Sequence, residues 1–234
     1  MKILALDTTG ATASAAILDE NCMYGEFTIN AHTAEKKQTH SETLMPIVSS
    51  LFDLTRFKTQ DMDYIAYTAG PGSFTGLRIG SSVALSLAHA AGLPTIPIPT
   101  LDALAYGTPE NFNGQILTLL DAKRQQVYAA LYSVCNKKIE KISDNLAISL
   151  QEAIDLVSAT DVMFAGDGAF AYREILSERY PRGIFANKFV SAYAIAKNAL
   201  VKLQAGEVFE KTDYQAPELI YVRQPQALRE CTKS

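Results

Sequence analysis

The stretch Ala69-Gly70-Pro71-Gly72-Ser73-Phe74-Thr75-Gly76-Leu77-Arg78-Ile79-Gly80 is a glycine-rich turn that runs into a long apolar segment. A Walker loop places Lys and then Ser or Thr after its last Gly, whereas Leu77 and Arg78 follow Gly76. The dinucleotide fingerprint fails as well, because Thr75 stands where its third Gly is required. The stretch therefore resembles a phosphate loop in its glycine content and completes neither phosphate-binding motif.

A row of small residues continues from this turn along a predicted helix that ends near Gly92. Gly76, Gly80, Ala84 and Ala88 recur one turn apart, so they lie on one face of that helix. Small side chains allow another backbone to approach closely. The row predicts close packing against a second element, which belongs either to this chain or to a partner.

The segments before and after this stretch predict an N-terminal α/β lobe at residues 1–107. Three short apolar runs near the N-terminus predict an antiparallel meander whose first hairpin has Asp7 at its mouth. The capping-box pattern from Thr39 to Glu42 starts a predicted helix over about four turns. A strand, the second helix and a further strand follow, and their order requires crossover connections and hence parallel pairing. The expected sheet is mixed.

Residues 108–234 predict a smaller C-terminal α/β lobe with an extended tail. The breaker-rich segment 108–114 marks the boundary. An apolar run then ends in Asp121 and leads into a second hairpin, as the first run does at Asp7. The turn that begins at Gly166 follows a strand and opens a helix, but it lacks the distal acidic residue of a dinucleotide site. We interpret it as a packing turn within a duplicated α/β unit.

Composition limits the possible functions. Lys and Arg number 21 against 25 Asp and Glu, so the net charge of −4 lacks the basic footprint of a stand-alone nucleic-acid binder. Cys22, Cys135 and Cys231 are odd in number and far apart, which argues against disulfides or a structural zinc site. The N-terminus has no signal-peptide pattern, and no apolar run has the length of a membrane span. We expect a cytoplasmic protein.

The residues that could carry catalysis form no complete set. His32, His40 and His89 lack metal-ligand spacing, and no nucleophile elbow is present, so we predict no catalytic and no metal residues. Asp7, Thr8 and Thr9 are the candidate cofactor-binding residues. They form either a remnant of a phosphate loop, in which Asp7 holds a hydrated magnesium, or a turn stabilised by its own side chains. The residue types favour neither interpretation over the other.

The two predicted helices of the first lobe carry more apolar surface than one sheet face absorbs, which predicts a subunit interface. In this interpretation Ile79 and Val83 cover the sheet, and the small-residue face meets the other helix and a partner. The predicted interface residues are Leu44, Met45, Ile47, Val48, Phe52, Gly76, Gly80, Ala84, Leu87 and Ala88.

Several segments resemble the TsaB family, also called YeaZ, over nearly the whole chain. In the second half, Lys123 and Gln126 replace the Arg and Glu of the family pattern, which affects any charge pairing made there. The matching segments are Ile3-Leu4-Ala5-Leu6-Asp7-Thr8-Thr9, His40-Ser41-Glu42, Leu44-Met45-Pro46, Gly70 to Gly80, Pro94 through Leu101-Asp102-Ala103-Leu104-Ala105, Asp121-Ala122-Lys123, Gln126-Val127-Tyr128 and Pro217-Glu218-Leu219-Ile220-Tyr221-Val222-Arg223-Gln224-Pro225.

The resemblance implies a two-lobed α/β fold with mixed sheets, of the actin-like type shared by sugar kinases and Hsp70. It also implies a role in making threonylcarbamoyladenosine in tRNA, beside the catalytic paralogue TsaD and the ATPase TsaE. Members of the family pair through the first two helices, with TsaD or, when alone, with a second copy. The resemblance implies no cofactor for this chain alone, ATP and metal on the partner subunits, and tRNA contact only through the complex.

Two functional hypotheses follow. The first is a non-catalytic platform subunit that binds and activates TsaD. The second is an enzyme in its own right, either a nucleotide-dependent hydrolase or phosphotransferase, or a protease of the wider TsaD-like family.

Overall fold

The computed structural model describes residues 1–30, 39–123, 125–211, 217, 219, 220 and 222. His32, Cys231 and most of the family-like tail after residue 217 lie outside this part. The chain forms two compact units, the first comprising Met1–Gly107 with Val190–Leu219 and the second comprising Thr108–Phe189.

The first unit is built on a five-stranded mixed sheet in the order β3-β2-β1-β4-β5. The antiparallel meander is confirmed, and β1 also pairs in parallel with β4, which pairs in parallel with β5. Every residue of β1 and β2 is buried, because these strands lie at the centre of a sheet that helices cover. The strands are β1 (Ile3–Asp7), β2 (Thr12–Leu18), β3 (Met23–Asn30), β4 (Tyr64–Gly70) and β5 (Thr95–Pro99).

Two long helices make the crossovers of this unit. α1 (His40–Thr55) begins where predicted, and the Glu42 carboxylate accepts a hydrogen bond from the Thr39 backbone N–H at 2.8 Å. α2 (Phe74–Ala91) ends at Gly92, which adopts the left-handed conformation at φ 66°. The short α3 (Thr100–Tyr106) follows β5.

The structure differs from the predicted division at the last helix. Residues 192–204 were assigned to the lobe at 108–234, yet α7 (Ala192–Gln204) packs on β1 and β2 of the first unit. Its buried face is rich in alanine, which lets the helix lie close to the sheet. Periodicity identifies such a helix but does not reveal which sheet it covers.

The second unit repeats the opening hairpin, as predicted. β6 (Gly114–Asp121) and β7 (Gln126–Cys135) pair antiparallel, and the sheet has the order β11-β10-β6-β7-β8 with β9 also on β7. Leu117, Phe164 and Leu176 belong to its core. The remaining elements are β8 (Lys138–Lys141), β9 (Leu146–Ser149), α4 (Leu150–Asp155), β10 (Val162–Ala165), α5 (Asp167–Ala171), α6 (Arg173–Arg179) and β11 (Ile184–Phe185).

These two sheets confirm the predicted α/β fold with mixed sheets. Within the described residues, no helix is long and apolar enough to cross a membrane. Cys22 and Cys135 are free and exposed.

Candidate functional site

Asp7 lies at the end of β1 and is fully buried. Its Oδ1 atom accepts hydrogen bonds from the Thr9 backbone N–H at 3.1 Å, the Thr9 hydroxyl at 2.7 Å and the Thr68 hydroxyl at 2.7 Å. Oδ2 is buried and has no hydrogen-bond partner among the described residues. Burial raises the pKa of Asp7 above its ordinary value, although the three hydrogen bonds act in the opposite direction.

Thr8 joins the same turn to the start of α2. Its hydroxyl donates a hydrogen bond to the Gly76 carbonyl at 2.7 Å, and the Ser73 N–H donates to the Thr9 carbonyl at 3.0 Å. A Cβ on Gly76 would lie 1.9 Å from the Thr8 carbonyl oxygen, and a Cβ on Gly80 would lie 2.6 Å from the Thr8 hydroxyl. Only glycine permits this approach, so the turn and the first turns of α2 pack backbone against backbone.

These contacts favour the structural alternative for the glycine-rich stretch. The Thr8 and Thr9 hydroxyls donate to Gly76 and Asp7, so both are engaged within the chain. At the start of α2, the Ser73 N–H is bound by Thr9 and the Gly76 N–H by the Ser73 hydroxyl. Two hydroxyls and two amides that could contact a phosphate in such a loop are therefore used by the protein itself.

The small-residue row faces the chain's own core. Gly76, Gly80, Ala84 and Ala88 are buried, which reverses the predicted orientation of α2. Ile79 and Val83, expected to cover the sheet, are instead half-buried. The glycines at helical spacing indicated a close backbone approach, but the sequence did not show that the β1–β2 turn is the backbone that approaches.

The buried side of α1 also differs from the predicted interface. Leu44, Ile47 and Val48 are at most 3% exposed and belong to the core. Buried side chains cannot meet a partner, so these three and the four small residues of α2 are corrected to core positions. Of the predicted interface residues, Met45 is exposed, and Phe52 and Leu87 are half-buried.

The two described histidines, His40 and His89, belong to the first unit. His40 Nε2 lies 3.0 Å from the Gly10 carbonyl oxygen, which places the ring against the Asp7 turn. His89 is exposed near the end of α2. The part of the chain that the structure describes contains no group of three His, Cys, Asp or Glu side chains that could hold a metal ion.

The second hairpin has its own polar turn. The Asp121 carboxylate pairs with Lys123 Nζ at 2.7 Å, and the Asp121 N–H donates to Asp167 Oδ1 at 3.1 Å. A Cβ on Gly168 would lie 2.9 Å from the Leu120 carbonyl carbon, so the start of α5 also packs closely on a strand end. The predicted packing turn after Gly166 agrees with this geometry.

Comparison of the sequence with known proteins finds relatives in the TsaB and TsaD families. Residues 29–231 match the family model "TsaD: tRNA N6-adenosine threonylcarbamoyltransferase". The chain is 31% identical over 180 residues, 76% of each chain, to the tRNA threonylcarbamoyladenosine biosynthesis protein TsaB of Bacillus subtilis. It is 29% identical to the Haemophilus influenzae protein of the same name, with 95% of this chain and 94% of that protein covered.

Solved structures agree with the sequence relatives. YeaZ from Pseudomonas aeruginosa superposes with a TM-score of 0.74 at 26% identity, covering 90% of this chain and 95% of that one. A second structure, described as an uncharacterized protein with similarity to peptidase YEAZ from Pseudomonas aeruginosa, gives a TM-score of 0.77 at 25% identity. It covers 95% of this chain and 99% of that one.

Proposed function

The chain belongs to the TsaB family, within the wider TsaD family, and on this premise we propose that it is a non-catalytic platform subunit for threonylcarbamoyladenosine synthesis in tRNA. In this role it binds TsaD and holds it in an active arrangement, with TsaE as a further partner. A second copy of the chain takes the place of TsaD when the protein is alone. ATP and metal are bound by the partner subunits.

The observation that carries the proposal is an apolar stripe that the chain leaves accessible on its two long helices. Met45 and Phe52 lie two turns apart on α1, each directly after a buried leucine (Leu44 and Leu51), so they flank the buried face, and α1 packs beside α2. We call the docking stripe five of the accessible apolar residues on these helices, without Leu54 of α1 and Phe74 of α2: Met45, Phe52, Ile79, Val83 and Leu87.

The hydrogen bonds of the Asp7 turn also support the platform role. The Thr8 and Thr9 hydroxyls, and the Ser73 and Gly76 amides at the start of α2, donate to groups within the chain. A subunit whose phosphate loop has become a packing joint keeps the shape of its catalytic paralogue and contributes surface.

The test introduces charge into the docking stripe without touching the core. The variants are Met45→Asp and Leu87→Asp, alone and together, and the measurement is co-purification of the chain with tagged TsaD. We expect the double variant to lose pairing and to lower tRNA modification by the reconstituted subunits. The unfolding midpoint of each variant is measured as well, because Met45 is 43% exposed whereas Leu87 is half-buried, so Leu87→Asp costs some stability that must be separated from lost pairing.

The matched control is Leu54→Asp. Leu54 is 71% exposed on α1 and lies on the side of the helix opposite Met45, so it makes the same chemical change outside the stripe. The control should bind TsaD like the wild type. Full co-purification of the folded double variant would refute the docking stripe, and wild-type modification in the absence of the chain would refute the platform role.

One observation keeps the enzyme alternative testable. Asp7 Oδ2 is buried without a partner among the described residues, and a carboxylate oxygen of this kind can accept a water that coordinates magnesium. Calorimetry of the isolated chain with ATP and magnesium separates the two functions. Tight binding that Asp7→Ala abolishes would favour the enzyme, and no binding favours the platform.

A further inference from the structure

The second unit carries a surface cluster of rings and cations that the docking stripe does not include. Three phenylalanine rings lie beside two exposed cations, and we call this set the cation–aromatic patch. Its members are Phe170, Arg173, Phe185, Lys188 and Phe189.

Two of the rings, Phe170 and Phe185, pack against the hydrophobic core of the second unit. Phe164 is fully buried, and its ring centroid lies 5.2 Å from that of Phe185. Phe185 in turn meets Phe170 edge to face at 5.9 Å. Phe170 and Phe185 are half-buried and pack against the core of the second unit, so their positions are fixed while part of each ring remains accessible.

Arg173 and Lys188 come from different elements, and both lie near the Phe170 ring. The Arg173 guanidinium, at the start of α6, lies 4.7 Å from the Phe185 centroid and 5.8 Å from that of Phe170. Lys188 Nζ, which follows β11, lies 5.9 Å from the Phe170 centroid and 5.3 Å from that of Phe189. Both side chains belong to exposed residues.

Among the described residues, neither Arg173 nor Lys188 forms an ion pair with a carboxylate. The chain as a whole carries a net charge of −4. Two unpaired cations over rigid aromatic faces thus form a local positive surface on an acidic protein.

We propose that the cation–aromatic patch contacts the tRNA in the modification complex. Arg173 and Lys188 neutralise backbone phosphates, and the accessible parts of the half-buried rings provide a stacking surface for an unpaired base. This combination of cations and aromatic faces suits single-stranded nucleic acid, whereas an acidic peptide has no base to stack. The inference rests on the proposed function, because tRNA reaches this chain only through the complex, and it revises the expectation that the partners supply every tRNA contact.

The experiment measures tRNA binding by the complex reconstituted from the full chain, TsaD and TsaE at salt concentrations from about 50 to about 200 mM. For single-stranded nucleic acid, each phosphate contact contributes about 0.7 to the slope of log affinity against log salt. The double variant R173Q/K188Q should therefore lower the slope by about 1.4. Across a fourfold rise in salt, the variant complex should lose about 7-fold less affinity than the wild type.

Two controls isolate the patch. K138Q removes an exposed lysine that is paired with Glu140, so it should leave the slope unchanged. R173K/K188R keeps both charges and should retain most of the binding. Unfolding midpoints of all variants identify any loss that comes from instability.

The outcomes separate this inference from the proposed function. A wild-type slope in R173Q/K188Q, an absence of tRNA binding by the wild-type complex, or equal inhibition by polyglutamate of matched charge would each overturn the patch. Modification that proceeds equally well without the chain would instead overturn the platform role. A chain that stimulates modification, with tRNA binding unaffected by R173Q/K188Q, would leave the platform role intact and refute the patch alone.

Discussion

Replacing Gly76 with Ala tests whether the glycine-rich turn is a packing joint. The new Cβ would lie 1.9 Å from the Thr8 carbonyl oxygen and 3.0 Å from its carbonyl carbon. Both are backbone atoms and cannot rotate away. The start of α2 must therefore move off the β1–β2 turn, which also breaks the 2.7 Å hydrogen bond from the Thr8 hydroxyl to the Gly76 carbonyl.

The magnitude follows from three opposing contributions. Overpacking of a close contact costs about 1–3 kcal/mol, and the lost hydrogen bond costs about 1 kcal/mol. Ala recovers about 1 kcal/mol because it favours a helix more than Gly does. The net loss is roughly 2 kcal/mol, which lowers the urea midpoint of the first unit by about 1 M at a slope of about 2 kcal/mol per M.

The assay is urea unfolding followed by circular dichroism, with two companion variants. Thr8→Val removes the hydrogen bond and keeps the volume, so it should cost about 1 kcal/mol. Ser82→Ala lies on the exposed side of the same helix and should stabilise it slightly, by about 0.5 kcal/mol. A urea midpoint of Gly76→Ala equal to or above that of the wild type would refute the packing interpretation. It would favour the alternative in which this turn binds an anion.

Three further perturbations probe other parts of the fold. Burial raises the pKa of Asp7, so the native state binds more protons than the unfolded chain, and the contribution of Asp7 to stability is lost as pH rises through its folded pKa. The Tm of Asp7→Asn should therefore rise relative to the wild-type Tm as the pH increases from about 4 to about 8. A Tm difference that does not change with pH would contradict a raised pKa of Asp7. Ser149 caps α4 by accepting from the Glu152 N–H at 3.2 Å, so Ser149→Ala should destabilise the second unit by about 1 kcal/mol in urea, with no effect on TsaD binding. Ala84 is fully buried, so Ala84→Arg should cost at least about 4 kcal/mol and unfold the first unit, and a folded variant that only lost pairing would restore the small-residue face as an interface.

Local patterns were sufficient to predict most elements of the first unit. The alternation of apolar and turn-forming residues gave the hairpin at Asp7, and the capping box gave the start of α1. Both signals arise from backbone hydrogen bonding within a few residues, so they are readable without tertiary information. The family resemblance rested on the same segments and is confirmed by the relatives.

The position of α7 could not be predicted in this way. Its apolar face is compatible with either sheet, and the choice depends on contacts between residues far apart in the sequence. Strong local periodicity fixes that a helix forms and which face it buries. The surface that receives the face is a tertiary property.

The orientation of α2 shows the same limit at the functional site. Two faces of this helix are suited to burial, one lined by small residues and one by Ile79, Val83 and Leu87. Hydrophobicity alone favours burying the larger side chains, because they remove more apolar surface from water. The structure buries the small face instead, since only glycine admits the Thr8 backbone at Gly76.

This orientation has a consequence for assembly. With the glycine row committed to the β1–β2 turn, the larger apolar side chains of α2 are left half-buried beside α1. A partner helix would then pack on Ile79, Val83 and Leu87 and bury more apolar surface than it could against a row of glycine and alanine. If the proposed pairing through α1 and α2 holds, the flank of α2 that carries Ile79, Val83 and Leu87 is thus a more favourable docking surface than the small-residue row.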